Sequence, residues 1–364
     1  MKNYINIIAI CFFLLSCTST KSPNITGDTL SATAMHPYGR ALLTNGKLEL
    51  ISSAVHFGFT FEGNECSVFA SIPNSNGHNY LQYELDGKYQ KRIRVDGNSD
   101  QPIILNVGSK GKHTIWIYKV TEAHTGPILI DKVIANKIKS IQRPALPLIE
   151  FIGNSITCGA AADASEVPCG TGEYHDQHNA YYAYGPRVAK ALGTNFILSS
   201  VSGVGIYRHW NKDEPSMPPI YENADFQMYS IRHWDFSLYD PKIVSIALGT
   251  NDLSNGDGKT IRLPFDSTIF VNTFIKFIQF IRSKYPNTQI ALLSSPMING
   301  SRRLTLQNCL TAVKKNIDRV YKKDKPVALF FFEPMQARGC GGHPSVEDHA
   351  ILAEELIPFF KKLL

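Results

Sequence analysis

At 364 residues the chain is long for one hydrophobic core, since domains run about 100 to 200 residues, and two domains are expected. Lysine and arginine number 37 against 31 acidic residues, a net charge of +6 that is spread over pairs such as Lys314-Lys315, Lys322-Lys323 and Lys361-Lys362. With neither a basic block nor an aromatic-interleaved basic motif, the composition argues against a nucleic-acid partner.

Lys2 is followed by an apolar run from Ile5 to Leu15, which ends in Leu14-Leu15-Ser16-Cys17. The run is shorter than the roughly 20 residues a spanning helix needs and reads as a signal peptide. Its ending resembles a bacterial lipobox, in which the cysteine is lipidated and becomes residue one. Residues 1–17 are therefore expected to direct export, and residues 18–35 to form a polar tether. The expected product is a bacterial lipoprotein at the outer membrane, touching the bilayer through its lipid alone. After loss of Cys11 and lipidation of Cys17, Cys66, Cys158, Cys169, Cys309 and Cys340 remain, an odd number that leaves at least one free thiol. Cys158–Cys169, Cys169–Cys340 and free buried thiols all fit the sequence.

Residues 36–142 alternate with period two. Val55, Phe57, Phe59 and Phe61 interleave with His56, Gly58 and Thr60, as a half-buried strand does. Leu81, Tyr83 and Leu85 lead into Asp86-Gly87, a strong hairpin signal, and further short strands follow at Ile115–Val120 and Ile128–Val133. No convincing helix interrupts them, so an antiparallel β-sandwich of jelly-roll type is expected.

Arg143-Pro144-Ala145-Leu146-Pro147 marks a boundary, because its prolines bias their neighbours toward extended geometry. From 147 to 364 the apolar residues come in continuous runs at 148–152, 195–201, 243–248, 290–293 and 327–332, as strands buried on both faces require. Helical patterns lie between and after them at 180–192, 268–285, 304–321 and 345–363. This alternation predicts an α/β domain, a flavodoxin-like parallel sheet flanked by helices, with its ligand site beyond the carboxyl ends of the strands.

Four polar clusters fall at those ends: Gly153-Asn154-Ser155, Ser202-Gly203-Val204-Gly205, Gly249-Thr250-Asn251-Asp252 and Cys340-Gly341-Gly342-His343-Pro344. Each is weak alone. Together they supply the parts of acyl transfer: Ser155 as nucleophile, His343 as the base that takes and returns its proton, and oxyanion donors from the Ser155 and Gly203 N–H groups and the Asn251 amide.

In this order the clusters resemble blocks I, II, III and V of the SGNH (GDSL-type) hydrolases. With the sandwich ahead of them, and with FIGNSITCG and GCGGHP as written here, the chain is similar to carbohydrate esterase family two. The resemblance implies a cofactor-free, metal-free carboxylic ester hydrolase. Its expected substrates are acetylated plant polysaccharides or oligosaccharides such as xylan and glucomannan, and its expected intermediate is an acetyl-Ser155 ester. A non-catalytic glycan-binding lipoprotein with a degenerate hydrolase domain is the alternative.

The chain departs from the SGNH pattern in two ways. Asn154 stands where block I usually has aspartate, and Cys340 and Gly341 stand where many members carry an acid that orients the histidine. The resemblance then implies a Ser-His dyad with a backbone carbonyl as orienter; Glu333 and Asp348 are the nearest acidic alternatives. Asp252 is expected to fix its loop, and His349 to be structural. Tyr207 and Trp210 are candidate sugar contacts. The string Glu173-Tyr174-His175-Asp176-Gln177-His178 has the composition of a metal site but lacks ligand spacing and a second contributing cluster, so a solvated loop is expected.

Overall fold

The computed structural model describes residues 26–364; the expected signal segment, the lipidation expected at Cys17 and the first part of the expected tether lie outside the described residues. Two antiparallel sheets form the N-terminal sandwich. In one, Asp28–Ser31, Ala41–Thr44, Lys47–Leu50, Glu65–Ser71, Ile103–Asn106 and Ile128–Ala135 pair; in the other, Lys139–Ser140, His56–Glu62, Lys112–Lys119, His78–Leu85 and Lys88–Asp96. The Asp86-Gly87 turn forms as expected. Asp86 has φ 50° and Gly87 φ 80°, the paired positive values that a two-residue hairpin matched to strand twist demands.

The tether expected over 18–35 is corrected at its C-terminal part. Asp28–Ser31 is a strand, held antiparallel against Lys132–Ala135, so ordered sandwich begins before residue 36. The half-buried reading of the 55–61 strand is also corrected. Val55, Phe57, Phe59 and Phe61 fill the sandwich core, but His56 on the opposite face is buried as well, stacked on Phe196 at 4.8 Å. That face packs against the second domain, a tertiary contact that local periodicity does not encode.

The second domain carries five parallel strands, Leu148–Gly153, Asn195–Ser200, Ile243–Ala247, Gln289–Leu293 and Ala328–Phe330, in spatial order second, first, third, fourth, fifth. This is the flavodoxin-like order, whose switch point lies between the first and third strands. Helices α1 (Ser155–Cys158), α2 (Tyr184–Leu192), α3 (Met217–Tyr221), α4 (Ser267–Lys284), α5 (Gly300–Val320) and α6 (Val346–Lys361) accompany the sheet. Phe270, Phe274 and Phe277 form the buried stripe of α4, and Asp266 caps its first turn by accepting from the Thr268 and Ile269 N–H groups. The short α3, opened by prolines, escapes periodicity because five residues cannot show it. Among the described residues no helix is long and apolar enough to cross a membrane.

The domains interlock. Arg40, from the sandwich, is fully buried in the second domain, with its guanidinium 4.1 Å from the Phe226 ring centre and 4.8 Å from that of Tyr221. It donates to the Tyr221 and Asn223 carbonyls at 2.7 and 2.6 Å. Cation–π contact and charge-assisted hydrogen bonds offset part of its desolvation.

Candidate active site

Three of the clusters follow the ends of the first three parallel strands, and the fourth, with His343, forms the turn before α6. The first parallel strand runs into Asn154, which caps α1 by accepting from the Ile156 N–H at 3.1 Å, and places Ser155 at the helix start. The expected turn-stabilising role of the Asn154 amide is thus met, while its Nδ2 is buried without a partner. After the second strand comes Gly203 at φ 82°, where any side chain would be strained and a Cβ would overlap the His209 ring. After the third, Asn251 donates from Nδ2 to the Val204 carbonyl at 2.8 Å, leaving its second N–H for a ligand.

Ser155, Gly203, Asn251 and His343 line a single cavity of about 580 Å³, together with Tyr174, His209, Trp210, Asn255, Met297 and Arg302. Ser155 and His343 share this space without a hydrogen bond between them among the described residues; such bonds often tighten only with substrate bound. Burial depresses the His343 pKa below the ordinary imidazole value. The Cys340 and Gly341 carbonyls and the Glu122 carboxylate act the other way. The two carbonyls are near enough to favour the imidazolium, yet Nδ1 of His343 has no partner with hydrogen-bond geometry. The ring is therefore biased toward the neutral form that can accept a proton.

Residues 38–144 match the carbohydrate esterase 2 N-terminal family, and residues 151–347 match the GDSL-like lipase/acylhydrolase family. The chain belongs to the GDSL-like lipase/acylhydrolase family. It is a carboxylic ester hydrolase carrying the N-terminal domain of carbohydrate esterase family 2. A protein of Cellvibrio japonicus named acetylxylan esterase / glucomannan deacetylase is 24% identical over 362 residues, 97% of this chain and 96% of that one. The structure of a family two carbohydrate esterase from the same organism superposes with a TM-score of 0.79 at 22% identity, covering 92% of this chain and 97% of that one. One from Clostridium thermocellum, in complex with cellohexaose, gives 0.76 at 26%, covering 92% and 98%.

Within this esterase fold the acidic candidates are engaged elsewhere. Glu333 is 79% exposed at its side chain and pairs with Arg303 at 2.8 Å. Asp348 closes the capping box of α6 with Ser345 and binds Arg338. Asp252 is fully buried and accepts from the Ile206 and Tyr207 N–H groups at 2.9–3.0 Å, with burial raising its pKa to about 6; it holds the loop after the second strand, as expected. His349 is buried, stacked on Tyr184, and structural. Trp210 reaches the cavity, but Tyr207 is corrected: it packs on Phe265 and Phe270, and its hydroxyl accepts from the Asp266 N–H.

Sequence reasoning missed Tyr174 as a cavity wall; its hydroxyl bonds Ser202 Oγ at 3.2 Å. The second cluster absent from the 173–178 string exists in space, because His78 of the sandwich meets His175 and Asp176. These groups largely satisfy one another: His78 Nε2 pairs with Asp176, and His175 Nε2 donates to the His78 carbonyl. The disulfide joins Cys169 to Cys340, while Cys66, Cys158 and Cys309 are buried thiols. It ties the loop before Tyr174 to the turn before His343.

Proposed function

We propose that this protein removes O-acetyl groups from plant polysaccharides or oligosaccharides, xylan and glucomannan among them, by a Ser155–His343 dyad. His343 accepts the Ser155 Oγ proton as the oxygen attacks the acetyl carbonyl, and the Ser155 and Gly203 N–H groups and the Asn251 amide receive the developing oxyanion. Collapse expels the sugar alkoxide, which takes the proton back from His343 and leaves acetyl-Ser155. Water, deprotonated by the same imidazole, then releases acetate and restores the serine.

The observation that carries this reading is the convergence of Ser155, Gly203 and Asn251, from three separate strand ends, and of His343, from the turn before α6, on one cavity. The name of the Cellvibrio japonicus relative supports an acetylated glycan as substrate. The orienting group for His343 in this reading is a backbone carbonyl of the Cys340-Gly341 turn, since both carbonyls lie near enough to favour the charged ring. The test is hydrolysis of an aryl acetate and of acetylated xylan and glucomannan by protein lacking residues 1–17. Ser155→Ala is expected to abolish turnover, and retained activity overturns the assignment. The same reading places the mature protein at the outer membrane through lipidated Cys17. Detergent-phase partitioning that survives Cys17→Ala would refute the anchor.

A further inference from the structure

The buried carboxylate of Glu122 belongs to the sandwich domain, yet it sits beneath the cavity and is 1% exposed. Its Oε2 accepts from the Ser202 N–H at 2.7 Å, immediately before the glycine that carries an oxyanion donor. Its Oε1 meets His178 Nε2 at 3.2 Å. His178 Nδ1 in turn accepts from the Ala161 N–H at 3.3 Å, which fixes the tautomer with the proton on Nε2, so His178 donates to Glu122. The Ala161 carbonyl accepts from the Cys340 N–H at 2.9 Å, and the Cys340 carbonyl from the His343 N–H at 3.1 Å. One carboxylate thus reaches both sides of the site, directly on the Gly203 loop and through His178 and Ala161 on the His343 turn.

The segment presenting it is itself pinned. Lys119, fully buried, donates from Nζ to the Glu122 and Thr121 carbonyls at 2.6 and 3.2 Å, and Thr125 Oγ1 donates to the Glu122 carbonyl at 2.7 Å. The groups facing the carboxylate are His178, the Ser202 N–H and the Cys158 thiol. Tyr174 packs its ring on His178 at 4.6 Å. Burial works to raise the Glu122 pKa, but the His178 and Ser202 hydrogen bonds outweigh it and hold the group ionised, at about 2.

We propose that Glu122 is a positioning residue for ester hydrolysis, bracing the Gly203 and His343 loops together and supplying the buried negative charge that the His343 turn lacks. This rests on the serine-esterase reading and gives the sandwich a part in catalysis independent of glycan binding. An ionised carboxylate below the site favours the imidazolium formed as Ser155 attacks, a remote substitute for the missing triad acid.

Glu122→Gln keeps the shape and an oxygen for Ser202 but removes the charge. The full chain bearing it is expected to lose at least about 10-fold in kcat on an aryl acetate, with KM within about 2-fold. The acid limb of its kcat/KM profile should move to lower pH, because Glu122 raises the His343 pKa. His178 and His349 face His343 as well and stay in place in this variant. Glu122→Asp, which keeps the charge, is expected to recover part of kcat. A Glu122→Gln enzyme with kcat within 2-fold and an unmoved acid limb overturns the proposal. Should that variant fail to fold, His178→Asn decides instead: a kcat loss of several-fold supports the brace, and unchanged kcat overturns it. Ser155→Ala run in parallel separates the readings. A wild-type protein without Ser155-dependent turnover sinks the esterase reading and this one with it, whereas an active wild type with an unaffected Glu122→Gln sinks this one alone.

Discussion

Asp348 accepts from Arg338 Nε at 2.6 Å with one oxygen and from the Ser345 N–H at 3.0 Å with the other, so this candidate orienting carboxylate is committed to the start of α6. Asp348→Asn is therefore expected to act on stability, about 1 kcal/mol for a weakened capping box and ion pair, while kcat stays within about 3-fold. Thermal unfolding and aryl acetate kinetics on one preparation check both halves. A loss of kcat by orders of magnitude would make Asp348 the orienting acid and refute the dyad; the same criterion applies to Glu333→Gln.

Gly203→Ala should be far more damaging than its size suggests. The residue sits at φ 82° with its missing Cβ directed at His209, so alanine must displace the loop that carries the proposed oxyanion donor. Loss of one such donor costs about 10²–10³ in kcat, and a fall of that order is expected with the protein still folded. Near-normal kcat would remove Gly203 from the oxyanion hole.

The pH profile follows from two directions of shift. His343 is held below the usual imidazole value, chiefly by burial, so the basic form persists into mildly acidic solution and the acid limb of kcat/KM should fall below pH 6.5. A limb centred above 7 contradicts this. Stability behaves differently, because His349 and His56 are buried imidazoles depressed by desolvation to about 3 and about 4. Their folded-state values lie below the unfolded value, so the stability they carry is complete above about pH 6.5 and declines as pH falls toward 4 and then 3. Each contributes a slope of up to about 1.4 kcal/mol per pH unit in that window. Urea midpoints at pH 7.5 and 5.5 measure it, and His349→Leu should flatten the difference.

Reduction of Cys169–Cys340 opens a covalent loop with a sequence separation of 171 and frees the His343 turn from the loop that leads to Tyr174. Removing a native disulfide typically costs about 2–5 kcal/mol, and activity is expected to fall before global unfolding because His343, the proposed base, loses its anchor first. Activity and near-UV circular dichroism followed together through a reductant titration check this order.

Exhaustive chelation should leave hydrolysis unchanged, since the His78, His175 and Asp176 groups already pair with one another and the proposed chemistry needs only a serine and a histidine. Activity lost to chelator and restored by zinc would place a cation at that cluster.

The parallel sheet is legible in the sequence because a strand buried on both faces must be a continuous apolar run, and five such runs appear in order. Ser155, Gly203 and Asn251 are legible because the topology puts strand ends together, and the turn before α6 brings His343 to the same edge, so residues far apart in the chain become neighbours. Glu122 is not. It is one acid between Thr121 and Ala123, and only the docking of the sandwich onto the second strand's loop gives it partners. His78 and His56 are invisible for the same reason, whereas Tyr207 misleads because a residue next to a site loop has no local mark saying which way it faces.

Arg40 bears on how such a protein can be engineered. The proline-rich joint at 143–147 looks like a natural cutting point, yet the cation crosses it in the other direction and lodges among Tyr221, Phe226 and Trp234. Grafting a different β-sandwich ahead of residue 147 would leave those rings around an empty slot, with the Tyr221 and Asn223 carbonyls unanswered. A chimera would need a replacement for one arginine before it needed a new linker.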